Sequence, residues 1–237
     1  MTKNFPRAIV TGGSSGLGAH IVAELRSMGM KVHDWSRETG VDVTNFNSVF
    51  DAIMRDLADD VSIANVDILI NCAGINRIEW FDRISEADFD LVMATNAKAL
   101  WMVTAALLDR LRGGTVLNIV SNASHMPMTH SIAYNASKGA AEIMTKQMAR
   151  ELSKTHGLTV FGVSPNRLRD TGMTDYINQR VCELRGWTPE QAAEYQLKAL
   201  PAGEETSPAA LAEFIGFLLS TKERHKYLNG CIMQYGV

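Results

Sequence analysis

The segment that decides the fold reads Thr11-Gly12-Gly13-Ser14-Ser15-Gly16-Leu17-Gly18, and it directly follows the apolar run Ala8-Ile9-Val10. From Gly16 to about Met28 the apolar residues recur at the spacing of one helix face. Glycines between a strand and a helix permit a tight turn and let the backbone approach a pyrophosphate, which the helix N-terminus attracts through free N–H groups and its dipole. The segment therefore predicts a dinucleotide-binding turn, and the alternative is an ordinary glycine-rich turn.

Along the rest of the chain, short apolar strands alternate with longer helical segments, which is typical of a parallel sheet with helices on both faces. The predicted strands are 8–10, 31–35, 68–70, 115–120, 159–163 and 231–235, and the predicted helices are 16–28, 46–57, 85–111, 134–154 and one that begins at 208. Only residues 38–41 separate Arg37 from Asp42, whereas a parallel crossover needs about 10–12 residues. We therefore expect a single Rossmann-like, doubly wound α/β domain over residues 1–237, with a shortened third-strand region.

The composition excludes several classes of protein. With 237 residues, 46% of them hydrophobic, and a net charge of −3, the chain can build a full core and lacks the basic surface of a nucleic acid binder. No stretch approaches the roughly 18 apolar residues of a membrane helix, and the N-terminus shows no signal-peptide pattern. Cys72, Cys182 and Cys231 have no metal-binding spacing. We expect a cytoplasmic protein without a metal, a membrane or a nucleic acid partner.

Further motifs give the chain a resemblance to a known family. The glycine spacing is TGxxxGxG, and it is followed in order by Asp42-Val43, Asn71-Cys72-Ala73-Gly74, Asn96, Ser121, Tyr134 and Lys138. Over nearly the whole chain these motifs resemble those of the short-chain dehydrogenase/reductase family, with Cys72 where the family has a second asparagine. Ser121 precedes Tyr134 by thirteen residues, which is the family's usual interval. Within that family the chain is similar to the 3-oxoacyl and carbonyl reductases.

The resemblance implies a catalytic tetrad of Asn96, Ser121, Tyr134 and Lys138. Tyr134 and Lys138 are four residues apart and share one helix face. A free tyrosine has a pKa near 10, and both the lysine cation and an oxidised nicotinamide would favour its phenolate form. Tyr134 would donate a proton to a carbonyl oxygen that Ser121 orients, while Asn96 holds a water that connects Lys138 to solvent. In isolation, the Tyr-x-x-x-Lys pattern would indicate only a solvated helical pair.

The glycine turn and the resemblance together indicate the cofactor-binding residues. They are Gly12, Ser14, Ser15, Gly16, Leu17, Gly18, Ser36, Arg37, Asp42, Val43, Asn71, Ala73, Gly74, Tyr134, Lys138, Pro165 and Thr171. In the family the Asp42 carboxylate contacts the adenine amino group, and Thr171 would contact the nicotinamide carboxamide. After Pro165 the chain departs from the family's Pro-Gly pattern, because Asn166 replaces the glycine and one extra residue precedes Thr171. The backbone path under the nicotinamide can therefore differ at this point.

The choice between NADP(H) and NAD(H) depends on the end of the second predicted strand. An acidic residue there binds the adenosine ribose hydroxyls and selects NAD. Counting eighteen residues from Gly18 reaches Ser36, which is followed by Arg37. A guanidinium can receive a 2′-phosphate, so the pattern favours NADPH. NADH is the alternative, since Asp34 and Glu38 are also close in sequence.

We therefore expect an NADPH-dependent oxidoreductase that transfers a hydride to a ketone or aldehyde. A 3-oxoacyl thioester is one candidate substrate, and Arg167 and Arg169 are candidate contacts for an acidic carrier protein. The alternatives are a non-catalytic NADP-sensing module of the same fold and an alcohol dehydrogenase that works in the oxidative direction. Substrate contacts are expected from residues 122–133 and from a lid at about 171–202.

We expect a homotetramer, with a homodimer as the fallback. Similar proteins pair two long helices between subunits. Here those helices are the predicted segments 85–111 and 134–154. Small side chains that would permit their close approach are Ala97, Ala99, Ala105, Ala106, Ala140 and Ala141.

Overall fold

The computed structural model describes residues 6–58 and 66–236. Its strands are β1 (Arg7–Thr11), β2 (Lys31–Trp35), β3 (Ile68–Asn71), β4 (Thr115–Ile119), β5 (Thr159–Pro165) and β6 (Ile232–Tyr235). They form one sheet in the order β2-β1-β3-β4-β5-β6, and every neighbouring pair is parallel. This arrangement confirms the predicted Rossmann-like fold class, and each predicted strand is present.

Helices cover both faces of the sheet. They are α1 (Gly16–Ser27), α2 (Phe46–Leu57), α3 (Glu86–Met93), α4 (Ala99–Ala106), α5 (Ile132–Thr155), α6 (Gly172–Arg185), α7 (Pro189–Lys198), α8 (Pro208–Leu219) and α9 (Lys222–His225). Helices α2, α4 and α5 bury apolar side chains against one face, and α1 and α8 bury theirs against the other. No helix in residues 6–58 and 66–236 is long and apolar enough to cross a membrane.

Side-chain caps define where three helices begin. The Ser85 hydroxyl accepts a hydrogen bond from the Asp88 N–H at the start of α3, and the Ser207 hydroxyl does the same for Ala210 at the start of α8. Asn45 caps α2 by accepting from the N–H group of Asn47. Each cap satisfies an N–H group that has no partner inside the helix. The predicted helix starts at Ser85 and Ser207 are therefore confirmed.

The sheet edge is short, as the four-residue interval before Asp42 predicted, and no strand lies between β2 and α2. A single 3₁₀ turn, Arg37–Thr39, follows β2 and ends at Gly40, whose φ is +79°. Within the described residues β2 is therefore an edge strand. Its exposed and half-buried positions include Lys31, His33 and Asp34, and polar or charged side chains of this kind discourage edge-to-edge pairing with other chains.

The long helix predicted from Ser85 to about Leu111 is interrupted and ends earlier. Between α3 and α4 the residues Ala94–Lys98 form a π-helical turn, and α4 ends at Ala106. A π turn inserts an extra residue into the helix, and such turns are frequent at functional sites. Here the turn contains Asn96, which is buried. The prediction of one uninterrupted helix was wrong at the position assigned to catalysis.

The segment predicted as a lid folds into helices α6 and α7. Thr171 caps α6 by accepting from the Thr174 N–H, and Gly186 ends α6 in the left-handed conformation. Ile78, from the loop after β3, packs with Val181 of α6 and Ala192 of α7. The two helices therefore lie over the loop that follows β3.

Candidate active site

The glycine turn is a close-packed junction of β1, α1 and the segment after β3. Gly12 has a φ of +68° and Gly16 a φ of +48°, which only glycine adopts readily. A Cβ atom on Gly12 would lie 2.9 Å from the Ala73 Cα, and one on Gly18 would lie 2.1 Å from the Gly12 carbonyl oxygen. Side chains at these two positions are therefore excluded, which leaves an exposed backbone turn at the start of a helix. This geometry fits the pyrophosphate of a dinucleotide.

Thr11 joins this turn to the end of β3. Its hydroxyl accepts hydrogen bonds from the N–H groups of Cys72 at 3.0 Å and Ala73 at 3.1 Å. We did not assign Thr11 a role from sequence, although a threonine at the end of a strand is a signal for such a bond. The Asn71 amide nitrogen donates to the Asn118 side-chain oxygen at 2.9 Å and to the Thr104 hydroxyl at 3.2 Å in the interior, and its predicted role in cofactor binding stays a prediction. Its side chain supports the sheet.

The predicted adenine contact is held by a local turn. The Asp42 carboxylate accepts from the backbone N–H of Thr44 at 2.9 Å and from the Thr44 hydroxyl at 2.7 Å. The hydroxyl bond is the main cause that lowers the pKa of Asp42. Val43 turns inward and packs in the core. Asp42 is therefore a fixed anion in the loop that leads to α2.

Ser14 and Ser36 meet at the other side of the turn. Their hydroxyl oxygens are 2.5 Å apart, and the Ser14 hydroxyl donates to the Asp34 carboxylate at 2.5 Å. Arg37 is exposed on the adjoining 3₁₀ turn. The structure therefore brings Ser14, Ser36 and Arg37 to one place, as predicted, and adds Asp34, which we had not listed as a site residue.

The four predicted catalytic residues lie on three elements at the carboxyl end of the sheet. Ser121 follows β4, and its hydroxyl accepts from the Ala123 N–H at 3.2 Å. Tyr134 and Lys138 lie on α5 and are buried, and the Lys138 Nζ lies 5.8 Å from the centre of the Tyr134 ring. Lys138 also donates to the Ile119 carbonyl oxygen at 2.8 Å.

Asn96 connects this group to the loop after β3. Its amide oxygen accepts from the Ile75 N–H at 2.8 Å, and its amide nitrogen donates to the Ile75 carbonyl oxygen at 2.9 Å and to the Ser137 hydroxyl at 3.0 Å. A Cβ atom on Gly74 would lie 3.5 Å from the Asn96 Oδ1 and 3.8 Å from the Lys138 Nζ. Asn96, Gly74 and Lys138 therefore converge, although 22 and 42 residues separate Asn96 from the other two.

Burial dominates the electrostatics of this centre. It lowers the pKa of Lys138 to about 8, because a charged ammonium is poorly solvated there. Burial also raises the pKa of Tyr134, and a hydrogen bond with Ser121 opposes that effect. The pKa of the neighbouring Cys72 thiol rises to about 12 for the same reason. In the protein without its cofactor, burial therefore keeps Tyr134 a neutral phenol, and its tuning by Lys138 together with an oxidised nicotinamide stays a prediction.

The departure after Pro165 is absorbed in the loop before α6. The Asn166 N–H donates to the Tyr235 carbonyl oxygen at the end of β6 at 3.0 Å. Asp170 takes the left-handed conformation with a φ of +53°. Thr171 then lies against the glycine turn, 3.7 Å from where a Cβ atom on Gly16 would stand. Despite the extra residue, Thr171 reaches the predicted cofactor-binding region.

The predicted lid is attached to the predicted substrate loop by one arginine. The Arg185 Nε donates to the His130 Nε2 at 2.9 Å, and its guanidinium lies over the rings of Trp187 and Tyr195 at 4.5 and 5.1 Å. Burial lowers the pKa of His130, so its ring is a neutral acceptor. No sequence pattern singled out Arg185, because its partner is 55 residues away in the chain.

Comparisons with known proteins match the fold and the motifs. Residues 6–181 match the family model described as short chain dehydrogenase. Sorbitol-6-phosphate 2-dehydrogenase of Klebsiella pneumoniae is 29% identical over 94% of this chain and 91% of that protein. The 3-oxoacyl-(acyl-carrier-protein) reductase of Vibrio cholerae is 30% identical over 94% and 92%.

Solved structures show the same fold. The 3-ketoacyl-(acyl-carrier-protein) reductase from Brucella melitensis complexed with NADH has a TM-score of 0.82 at 21% identity, covering 97% of this chain and 96% of that one. With the family model matched over most of the chain, the protein is an oxidoreductase that belongs to the short-chain dehydrogenase family.

Proposed function

We propose that this protein reduces a ketone or aldehyde carbonyl with NADPH, and that Tyr134 is the proton donor. The observation that carries the proposal is the convergence of Asn96, Ser121, Tyr134 and Lys138 beside the segment 72–75, which itself packs against the glycine turn. A group that donates a proton and a turn that accommodates a dinucleotide are thereby joined in one site.

The residues of the turn fit a nicotinamide dinucleotide. The backbone at Gly12 and Gly18 leaves no room for side chains, and the free N–H groups at the start of α1 would hold the pyrophosphate. Asp42 would accept from the adenine amino group, and Lys138 would bind the nicotinamide ribose. The bound cofactor would supply the hydride.

The protein's own residues would manage the proton. With a pKa of about 8, Lys138 is mainly a cation at neutral pH, and its charge favours ionisation of the nearby Tyr134. The Ser121 hydroxyl would hold the carbonyl oxygen so that the Tyr134 O–H can donate to it. Asn96 would hold the loop at Ile75 and the helix at Ser137 in their relative positions. A water held by Asn96 would then connect Lys138 to solvent, so that Lys138 can be reprotonated. General acid catalysis of this kind contributes about 10²–10⁴-fold.

The preference for NADPH rests on Arg37. It is exposed on the turn after β2 beside Ser36, where it could pair with a 2′-phosphate. The solved structure of the same fold from Brucella melitensis is a complex with NADH, so NADH is the alternative cofactor.

The substrate would enter between the loop 122–133 and the lid 171–202. Of the two arginines considered for an acidic carrier, Arg167 is paired with Glu205 and Asn178 and is largely buried, whereas Arg169 is 54% exposed and lies 3.7 Å from the exposed Asp170 carboxylate. Pairing removes Arg167 from the docking role, which weakens the 3-oxoacyl carrier hypothesis. We favour a small carbonyl compound.

Purified protein incubated with NADPH and a panel of ketones, aldehydes, keto sugars and 3-oxoacyl thioesters tests the proposal. We expect consumption of NADPH with at least one member of the panel, and faster consumption than with NADH. Oxidation of the matching alcohols without measurable reduction would favour the oxidative direction. Tight NADPH binding without turnover of any member would favour the sensing module.

The assembly proposal remains a homotetramer, with a homodimer as the fallback, but only three of the six predicted alanines, Ala105, Ala106 and Ala140, stay accessible to a partner. Ala97, Ala99 and Ala141 are buried in the subunit's own core, so they cannot meet a partner. The same helices instead expose Trp101 on α4 and Ile143 on α5, which are 55% and 63% exposed. Light scattering of the 26.0 kDa chain is expected to give a multiple of that mass, and Trp101→Glu to reduce it.

A further inference from the structure

We propose that Asp34 is a second determinant of cofactor choice, and that it acts against the 2′-phosphate of NADPH. The inference rests on the proposed binding of a nicotinamide dinucleotide at the glycine turn. It concerns a residue in β2, two positions before the point where an acidic residue would select NAD.

The structure places the Asp34 carboxylate inside the turn. Its Oδ2 lies 2.5 Å from the Ser14 hydroxyl oxygen and 3.3 Å from the Ser36 hydroxyl oxygen. Its Oδ1 is buried and has no hydrogen-bond partner among the described residues. A Cβ atom on Gly13 would lie 2.6 Å from that Oδ1, so the carboxylate fills the space that a side chain at position 13 would take.

Counting protons shows why this arrangement disfavours a phosphate. Each serine hydroxyl has one proton to donate, and an ionised carboxylate can only accept. Ser14 donates to Asp34, and Ser36 lies within reach of both Ser14 and Asp34. With both protons used inside the cluster, the hydroxyls offer only lone pairs to the cofactor. A ribose hydroxyl can donate to a lone pair, whereas a 2′-phosphate needs donors.

The negative charge of Asp34 also disfavours a 2′-phosphate, and it opposes the positive charge of Arg37. Arg37 attracts a phosphate from the exposed 3₁₀ turn, where solvent screens its charge. Asp34 is less exposed than Arg37, so water screens its repulsion less. The cofactor preference would then be the balance of two opposite charges, one on each side of Ser36.

Binding of NADPH and NADH to purified Asp34→Asn, followed by the fluorescence of the reduced nicotinamide, tests the inference. Asparagine keeps the size of the side chain and removes the charge. We expect the ratio of NADPH to NADH affinity to rise about tenfold, since the negative charge beside the phosphate is removed and the amide adds N–H donors to the cluster. Glu38→Gln is the matched control, because Glu38 carries the same charge on the exposed 3₁₀ turn, and there we expect less than a twofold change.

An increase in NADPH affinity cannot come from a loss of structure, which would weaken both cofactors. Equal weakening of both in Asp34→Asn would overturn the inference and make Asp34 a structural clamp on the turn. Asp34→Ser, which is smaller and also uncharged, provides the same measurement if the asparagine variant does not fold. Failure of the wild-type protein to bind either cofactor would instead reject the proposed function, and the inference with it.

Discussion

The two ends of the cofactor site are built on different physical principles. At the adenosine end, Arg37 is exposed and Ser14 is half-buried, and the fit comes from backbone that glycines leave bare. At the catalytic end, Tyr134 and Lys138 are at most 8% exposed, and burial dominates their pKa values. Water screens charges at the exposed adenosine end and less so at the buried catalytic end. The loss of a charge or hydroxyl at the catalytic end should therefore reduce turnover by a larger factor than a loss at the adenosine end reduces cofactor affinity.

The largest effect is expected for Tyr134→Phe. The variant loses one oxygen and keeps the ring, so the packing against Ala123 and Val92 should survive. Turnover of any accepted carbonyl should fall about 10²–10⁴-fold, while NADPH binding should stay near the wild-type value. Single-turnover kinetics would check this, with a thermal melt as the control for folding. Wild-type rates in the chemical step would show that another group donates the proton.

Arg37→Ala should have a smaller effect, confined to the other end. A charge-assisted phosphate contact contributes about 1.5–3 kcal/mol, which corresponds to a loss of NADPH affinity of roughly tenfold to a hundredfold. NADH affinity should hardly change. Titration of the variant with NADPH and with NADH measures both affinities. Equal weakening of the two would show that Arg37 has a structural role and does not bind the phosphate.

Gly18→Ala tests the backbone of the glycine turn. The added methyl group would meet the Gly12 carbonyl oxygen at 2.1 Å, so the loop must move. We expect destabilisation of about 1–3 kcal/mol, as for other overpacked sites, together with weaker binding of both cofactors. Chemical denaturation and cofactor titration would measure the two effects. Gly186→Ala adds the same methyl group where nothing lies within 4 Å but φ is +65°, so it controls for the loss of stability, and there cofactor binding should not change.

The last prediction concerns pH, and within one pH unit above the pKa of Lys138 its effect does not exceed about tenfold. Lys138 has a pKa of about 8, so it is charged below pH 8 and becomes neutral as the pH rises through 8. If its cation supports catalysis, kcat/KM should be flat below that point and fall about tenfold per pH unit above it. A pH profile that is unchanged up to pH 10 would contradict the role of the ammonium.

The sequence predicted most of the architecture because the relevant patterns are local. Apolar runs marked all six strands, Ser85 and Ser207 marked helix starts, and the short interval before Asp42 predicted the reduced edge. The π turn at Asn96 escaped prediction, because its contacts are distant in sequence. The Asn96 side chain bonds to the loop at Ile75 and to Ser137 on α5. The burial of Ala97, Ala99 and Ala141 inside the subunit escaped prediction for a similar reason, because helical spacing does not tell which face meets the sheet.

By itself, the sequence determined the strand–turn–helix unit at Gly12–Gly18, the order of the motifs and the spacing of Ser121, Tyr134 and Lys138. Only the tertiary structure decided which distant residues became neighbours. The parallel register that places Val10 beside Asp34 carries that carboxylate to Ser14, and the pairing of Arg167 with Glu205 removes a cation from the surface. Parallel strands bring their carboxyl ends together at one edge of the sheet, but only their register and the surrounding packing set which side chains touch there.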